Sequence, residues 1–245
     1  MKYAVIMQAR TSSSRLPRKV LRELCGKTVL EHDIERIRQA KKVDEIIIAT
    51  TDLPEDDEIV EIAEQCKAPY FRGSETDVLS RYYYAAQKFQ VEQVIRITSD
   101  CPLIDPVIID DVIGYYEEHP GIDIITNVPN EWEKMSYPRG LDLEIFSFSW
   151  LEKAFTEAVS SFDREHVSPY IYDHAKMRYY YKYEEDYSRY RWTLDTPEDW
   201  EVIQKIYAHF YHGVHDFYFE DIVEYVKQHP EIAEINEEVR QKLKH

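Results

Sequence analysis

Glycine is scarce in this chain, six among 245 residues, so each is expected at a turn that needs its backbone freedom. The scarcity disposes of one tempting motif. Residues 25–28, CGKT, invite a phosphate-loop reading, but that motif needs a glycine five positions before Gly26, and position 21 is leucine. Gly26 is expected to make a turn and Thr28 to cap the helix after it. Cysteine is nearly absent. Cys25, Cys66 and Cys101 are far apart and odd in number, which argues against a disulfide frame or a zinc site and for free or buried thiols in a reducing compartment. Cations are outnumbered, 30 Lys and Arg against 47 Asp and Glu, for a formal charge of −17. Such a surface repels polyanions, so neither nucleic acid nor an anionic membrane is expected as a partner. The apolar run in MKYAVIMQAR is too short for a signal sequence or a membrane span, and a soluble, cytoplasmic protein is expected. There is no repeat, low-complexity tract or linker, and the length suits one domain.

What is present alternates. Residues 3–7 form a short apolar strand; Leu30, Ile34 and Ile37 mark a helix; EIIIAT, 45–50, is a continuous apolar strand of the kind buried on both faces. Residues 56–66 are helical, Val78, Tyr82, Ala86 and Phe89 give another helical stripe, VIRIT at 94–98 is a third strand, and helix follows from about 106. This order predicts an α/β fold with a parallel sheet between helices. In the second half, strands are expected at 123–128, 141–146, 177–183 and 190–194, and helices at 149–160, 164–175, 197–210, 217–228 and 231–242. Twenty tyrosines must be half-buried or line a cleft or interface.

One stretch opposes the global charge. Residues 1–22 carry Lys2, Arg10, Arg15, Arg18, Lys19 and Arg22 and no acid, with three serines at 12–14. The loop follows the first strand, at the edge of the sheet where open α/β folds bind ligands. Hydroxyls and backbone amides wrap a phosphate, and Arg and Lys neutralise it. The plain alternative is a solvated basic loop, but like charges this close repel unless an anion sits among them. Two aspartates also follow strands. Asp100 is not needed as the next helix cap, since Asp105 and Pro106 start that helix; it either stands free or holds an Asx-turn. Asp195 precedes Thr196, Pro197 and Asp199, which make a complete helix start without it. Two carboxylates and a polyphosphate are an ordinary way to hold Mg²⁺.

With these residues in place, a resemblance emerges. ARTSSSRLPRK resembles the A-R-x-x-S-[ST]-R-L-P-x-K loop of the sugar nucleotidylyltransferases that use CTP, the acylneuraminate and KDO cytidylyltransferases. TSDCPLIDP and LDTPEDW look like their two metal-aspartate segments. FRGSETDVLSRY, YPRGLDLEIFS, REHVSPYIY, RWTLDTPEDW and HPEIAEIN resemble one branch, the spore coat polysaccharide biosynthesis proteins. The resemblance implies a three-layer α/β/α sandwich with a mainly parallel sheet, residues 1–120 forming a nucleotide-binding half and 121–245 a sugar-binding and dimerisation half of a homodimer. It implies attack by a sugar-acid oxygen on CTP, release of pyrophosphate, and Mg²⁺ as cofactor. By position, Arg10, Ser13, Ser14, Arg15 and Lys19 hold the triphosphate, with Arg15, Lys19 and Asp100 at the reaction; Asp100 and Asp195 hold the metal; Arg72 and Ser74 meet the nucleoside. Ser74 and Asp77 also form a capping box. Relatives carry glycine where this chain has Arg18 and Ser99, so a side chain at either place is expected to crowd the nucleotide, altering its choice or weakening the enzyme.

On the acceptor side, Arg139 or Arg164 can clamp a sugar carboxylate, Asp142 and Glu144 share a face if on a strand, and His166 can carry a proton. An internal salt-bridge network among these residues is the alternative. His209, His212 and His215 fall three apart, but Gly213 is expected to end the helix before they share a face. Rival readings are a nucleotidyltransferase for another nucleotide or a neutral sugar, a glycosyltransferase using the D-x-E of Asp142 and Glu144, and a non-catalytic nucleotide-binding partner.

Overall fold

The computed structural model describes residues 2–13, 15–129 and 134–239. Strand β1, Tyr3–Gln8, is an interior strand of the sheet, its residues from Tyr3 to Met7 all buried. It pairs in parallel with β4, Glu45–Thr51, and with β6, Gln93–Thr98; β4 pairs in parallel with β5, Tyr70–Gly73. A tiny hairpin, β2 (Glu23–Leu24) and β3 (Lys27–Thr28), turns at Gly26, whose φ is +83°. Beyond β6 come β8, Glu144–Ser147, then β7, Ile124–Thr126, and β9, Arg178–Tyr180, at the edge. Only β8 runs antiparallel to its neighbours, so the seven-stranded sheet is mainly parallel.

Strand alternation divides the core. Tyr3, Val5 and Met7 pack with α1 (Val29–Ile37), α2 (Asp57–Gln65), α4 (Pro106–Glu118), α8 (Pro197–Phe210) and α9 (Phe219–Gln228). Ala4 and Ile6 pack with α3 (Val78–Lys88), α5 (Phe148–Glu157) and α7 (Pro169–His174) on the other face. Three layers result. The helix starts obey local physics: Thr28 and Glu31 cap each other at α1, Asp105 accepts from the amides of Val107 and Ile108 at α4, and Thr196 with Asp199 caps α8.

Three expectations from the sequence are corrected. Residues 190–194 form no strand, only a bridge between Arg191 and Arg139. The segment divides its bonds between two loops, Trp192 N to the Arg139 carbonyl at 2.7 Å and Leu194 N to the Asp100 carbonyl at 2.8 Å. Residues 141–143 stay out of β8 because the buried Asn127 amide satisfies them, donating to the Leu141 carbonyl at 2.7 Å and accepting from Leu143 N at 3.0 Å. Asp142 and Glu144 therefore do not share a strand face. The helix expected over 164–175 is two, α6 (Ser161–His166) and α7, broken at Val167, whose φ of 70° closes a tight turn from Ser168 N to the His166 carbonyl before Pro169. The last helix, α10, is short, Pro230–Glu234, and residues 240–242 lie outside the described residues. Gly140, φ +104°, meets the Trp192 backbone so closely that any Cβ there would collide with it.

The three spaced histidines do not converge. His209 stacks on Tyr225, His212 is exposed, and His215 is buried against His32 of α1. His32 Nε2 donates to the Leu24 carbonyl at 2.6 Å, so its Nδ1 accepts from His215 Nε2 at 2.9 Å. His215 Nδ1 lies 3.5 Å from Glu35, which Lys27 engages at 2.5 Å. These hydrogen bonds use both His32 nitrogens. Burial, then the charges of Arg36, His32 and Lys27, push the His215 pKa down to about 3, and burial lowers that of His32. A histidine kept neutral in the fold contributes stability above its unfolded pKa of about 6.5 and loses it as pH falls toward 3. At pH 5 the expected loss for His215 alone is about 2 kcal/mol, or roughly 4–8 °C in Tm, and His215→Gln should flatten that part of the Tm-against-pH profile.

Candidate active site

The cationic loop is anchored from below. Thr11 donates both its amide and its hydroxyl to Asp56 Oδ1 at 2.8 Å, and Thr51 donates to Asp56 Oδ2. The Thr11 carbonyl then accepts from Ser13 N at 2.8 Å and Arg18 N at 3.1 Å, closing a compact turn. Leu16 pins the turn in a small core with Val29 and Leu194. Arg18 holds φ +54°, a left-handed conformation that glycine adopts at less cost. Its side chain leaves the loop and pairs with Glu58. Ser99 donates its hydroxyl to the Gln8 carbonyl at 2.8 Å. Arg18 and Ser99 thus make hydrogen bonds to Glu58 and the Gln8 carbonyl rather than to Asp100 or Asp195.

A single 3-10 turn after Arg18 then aims Lys19 across the edge of the sheet. Its Nζ lies 2.7 Å from Asp100 Oδ2 and 2.9 Å from Asp195 Oδ1. Laid end to end, these distances keep the two carboxylate oxygens within about 5.6 Å of each other. Arg15 Nη2 reaches Asp195 Oδ2 at 3.0 Å. The aspartates, 95 positions apart, meet because Leu194 N and the Thr193 hydroxyl, at 2.8 and 3.1 Å, both donate to the Asp100 carbonyl. Arg191 orients Asp195, donating to its Oδ2 at 3.1 Å and to the buried Asp199 at 2.9 Å. Asp199 in turn accepts from the amides of Asp195 and Thr196. Burial opposes charge on Asp100, but Lys19, with help from the Thr98 hydroxyl at 2.5 Å, prevails and holds its pKa down at about 2. Burial likewise opposes charge on Lys19, and Asp100 and Asp195 overcome it, raising the lysine above its usual range.

The other expected residues divide. Arg10 is half-buried and pairs with no carboxylate among the described residues; Ser13 is half-buried; Ser14 lies outside the described residues. Arg72 donates to the Thr51 and Leu53 carbonyls at 2.8 Å and to Asp57 at 2.6 Å, bracing the turn that carries Asp56. The Ser74 hydroxyl accepts from Asp77 N at 3.1 Å, the start of α3. Arg139 meets Asp142 at 3.4 Å, and Asp142 also accepts from Gly140 N at 2.6 Å. Glu144 is held by Arg96, Ser168 and Tyr172. Arg164 pairs with Asp77 at 3.1 Å and lies over Phe155, while His166 packs edge-on to Phe162. Sequence reasoning missed Asp56, Arg96, Arg191 and Asp199. Only the last two left a trace, Arg191, Asp195 and Asp199 following one another at intervals of four residues.

A mainly parallel sheet with a cationic loop facing two carboxylates at its edge is the architecture of a nucleotidyltransferase. The chain belongs to the cytidylyltransferase family, CTP-dependent nucleotidyltransferases whose family model matches residues 4–236. It is similar to the spore coat polysaccharide biosynthesis protein SpsF of Bacillus subtilis, 34% identical over 82% of this chain and 85% of that one. Half of it, 50%, is 30% identical to 48% of a 3-deoxy-manno-octulosonate cytidylyltransferase of Chlamydia trachomatis. Among solved structures, a cytidylyltransferase from Leptospira borgpetersenii matches with a TM-score of 0.88 at 33% identity, covering 100% of both chains. No described helix is long and apolar enough to cross a membrane.

Proposed function

We propose that the protein transfers CMP from CTP to a sugar acid, in the presence of Mg²⁺, as a homodimer that supplies a cell-surface or spore-coat polysaccharide. A hydroxyl oxygen of the acid attacks the α-phosphorus, the bond from that phosphorus to the bridging oxygen breaks, pyrophosphate leaves with the electron pair, and the hydroxyl's proton is released to water. The observation that carries this reading is Lys19, a cation gripped by both Asp100 and Asp195. Two hard carboxylates this close, with a positive group already between them, suit a small divalent ion. Asp100 and Asp195 would hold Mg²⁺, which neutralises charge on the triphosphate and on the departing pyrophosphate.

The chain's own groups do the rest by position and charge, as phosphoryl-type transfer requires. Lys19 and Arg15 are poised to exchange carboxylate for phosphate. The names of the similar proteins, one acting on 3-deoxy-manno-octulosonate and one placed in spore coat polysaccharide biosynthesis, support a sugar-acid acceptor and this pathway.

The test is a thermal-shift panel of CTP, UTP, ATP and GTP with Mg²⁺, followed by pyrophosphate release with sugar acids. CTP should raise Tm most, since a ligand at a hundred times its Kd adds about 2.7 kcal/mol. Equal shifts for all four nucleotides, or no pyrophosphate with any acid, would overturn the reading.

A further inference from the structure

Register places Arg96 of β6 directly across from Glu144 of β8, with Thr126 of β7 next in the row. Their strand neighbours two positions away, Val94, Phe146 and Ile124, belong to the core under α3 and α7, whereas Ile95, Ile145 and Ile125 belong to the other. Arg96, Glu144 and Thr126 therefore line one face. Arg96 Nη1 donates to Glu144 Oε2 at 2.9 Å, and Glu144 Oε1 accepts from the Ser168 and Tyr172 hydroxyls, both at 3.1 Å. The strained turn at Val167 is what sets Ser168 over the carboxylate. The carboxylate is fully engaged, but the guanidinium is not: among the described residues Arg96 makes this one hydrogen bond, and its buried Nε has no acceptor. Nor is the pair sealed, its side chains being 11% and 15% exposed.

A buried ion pair is weak evidence for stability, since apolar residues of similar size often serve as well or better. Its place suggests a use. One pleat nearer the carboxyl edge, about 7 Å along the strand, stands Thr98, whose hydroxyl donates to Asp100. The pair lies behind the reacting carboxylates by roughly the reach of one sugar.

We propose that Arg96, locked by Glu144, reads hydroxyl or amide oxygens of the acceptor at the end away from its reacting hydroxyl. This rests on the cytidylyl-transfer reading above. The two charges cancel, so the subsite has no net pull on a second carboxylate. It offers N–H donors in a fixed direction, which suits a polyhydroxylated or N-acylated end without charge. Glu144, Ser168 and Tyr172 are positioning residues that act through Arg96.

The test compares wild type, Arg96→Lys, Tyr172→Phe and the paired Arg96→Met with Glu144→Met, which leaves no lone buried charge. Pyrophosphate release is measured with eight- and nine-carbon sugar acids, 3-deoxy-manno-octulosonate and N-acetylneuraminate, and with the six-carbon 2-keto-3-deoxygluconate, which lacks the distal hydroxyls. For the longer acids, acceptor KM should rise about tenfold or more in Arg96→Lys and in the pair, as for one lost hydrogen bond to a charged group. Tyr172→Phe should give a smaller rise. KM for CTP should stay within about twofold, and the six-carbon acid should show no change. Equal acceptor KM in wild type and the paired variant would overturn the proposal. Should wild type release no pyrophosphate at all, cytidylyl transfer is what fails. Saturation-transfer NMR of 3-deoxy-manno-octulosonate on the CTP-loaded protein then decides the subsite by itself: a signal lost in Arg96→Lys supports it, and no signal or no difference sinks it.

Discussion

Asp100→Asn should lower kcat/KM for pyrophosphate release by about a thousandfold or more while the protein stays folded. The carboxylate is ionised at any working pH, held down at about 2 against the cost of burial, so the amide removes a full negative charge from the edge of the sheet. Preorganised charges aimed at a reacting centre are commonly worth 10²–10³ each, and a lost cation site adds several kcal/mol. The fold should tolerate the change. The amide keeps the side chain's shape and an oxygen for the Thr98 hydroxyl, and Lys19 retains Asp195 at 2.9 Å, so no cation is left alone. Steady-state kinetics and a thermal melt check both halves, and full activity in a well-folded variant would remove Asp100 from the reaction.

Lys19→Met should act in two directions at once. Turnover should fall by about 10²–10³, because a charge meant for the triphosphate is gone. Binding of Mn²⁺ without nucleotide should tighten, by roughly tenfold or more, because the wild-type ammonium occupies the space between Asp100 and Asp195 and neutralises both. Asp195 keeps Arg15 and Arg191 in the variant, so only part of its charge is released. The free-Mn²⁺ signal in electron paramagnetic resonance reads this affinity without any turnover. An unchanged affinity would mean that the two aspartates do not form a cation site.

Much of the fold was legible because each signal had one strong physical cause. Helix α8 was predicted over 197–210 and spans those residues, since Thr196, Pro197 and Asp199 can make only a helix start and the apolar period runs unbroken to Phe210. EIIIAT was predicted as a doubly buried strand and lies inside the sheet as β4, between β5 and β1. The second half was harder. RWTL has every propensity of a strand, yet its amides bond to two separate loops. LDL was denied a strand by one side chain, Asn127, from fourteen residues upstream. REHVSPYIY carries a helical period across a proline, and the chain breaks there at Val167.

By itself the sequence determined the layers, the cationic loop and the two strand-end aspartates, because burial, capping and charge excess are local quantities. It could not determine which of those charges meet. That Lys19 bridges Asp100 and Asp195, that Asp56 carries the loop from 45 positions away, and that Arg96 faces Glu144 across two strands depend on register and on loop-to-loop hydrogen bonds. Those pairings belong to the assembled sheet, since a contact between distant residues leaves no periodic mark on the chain that makes it.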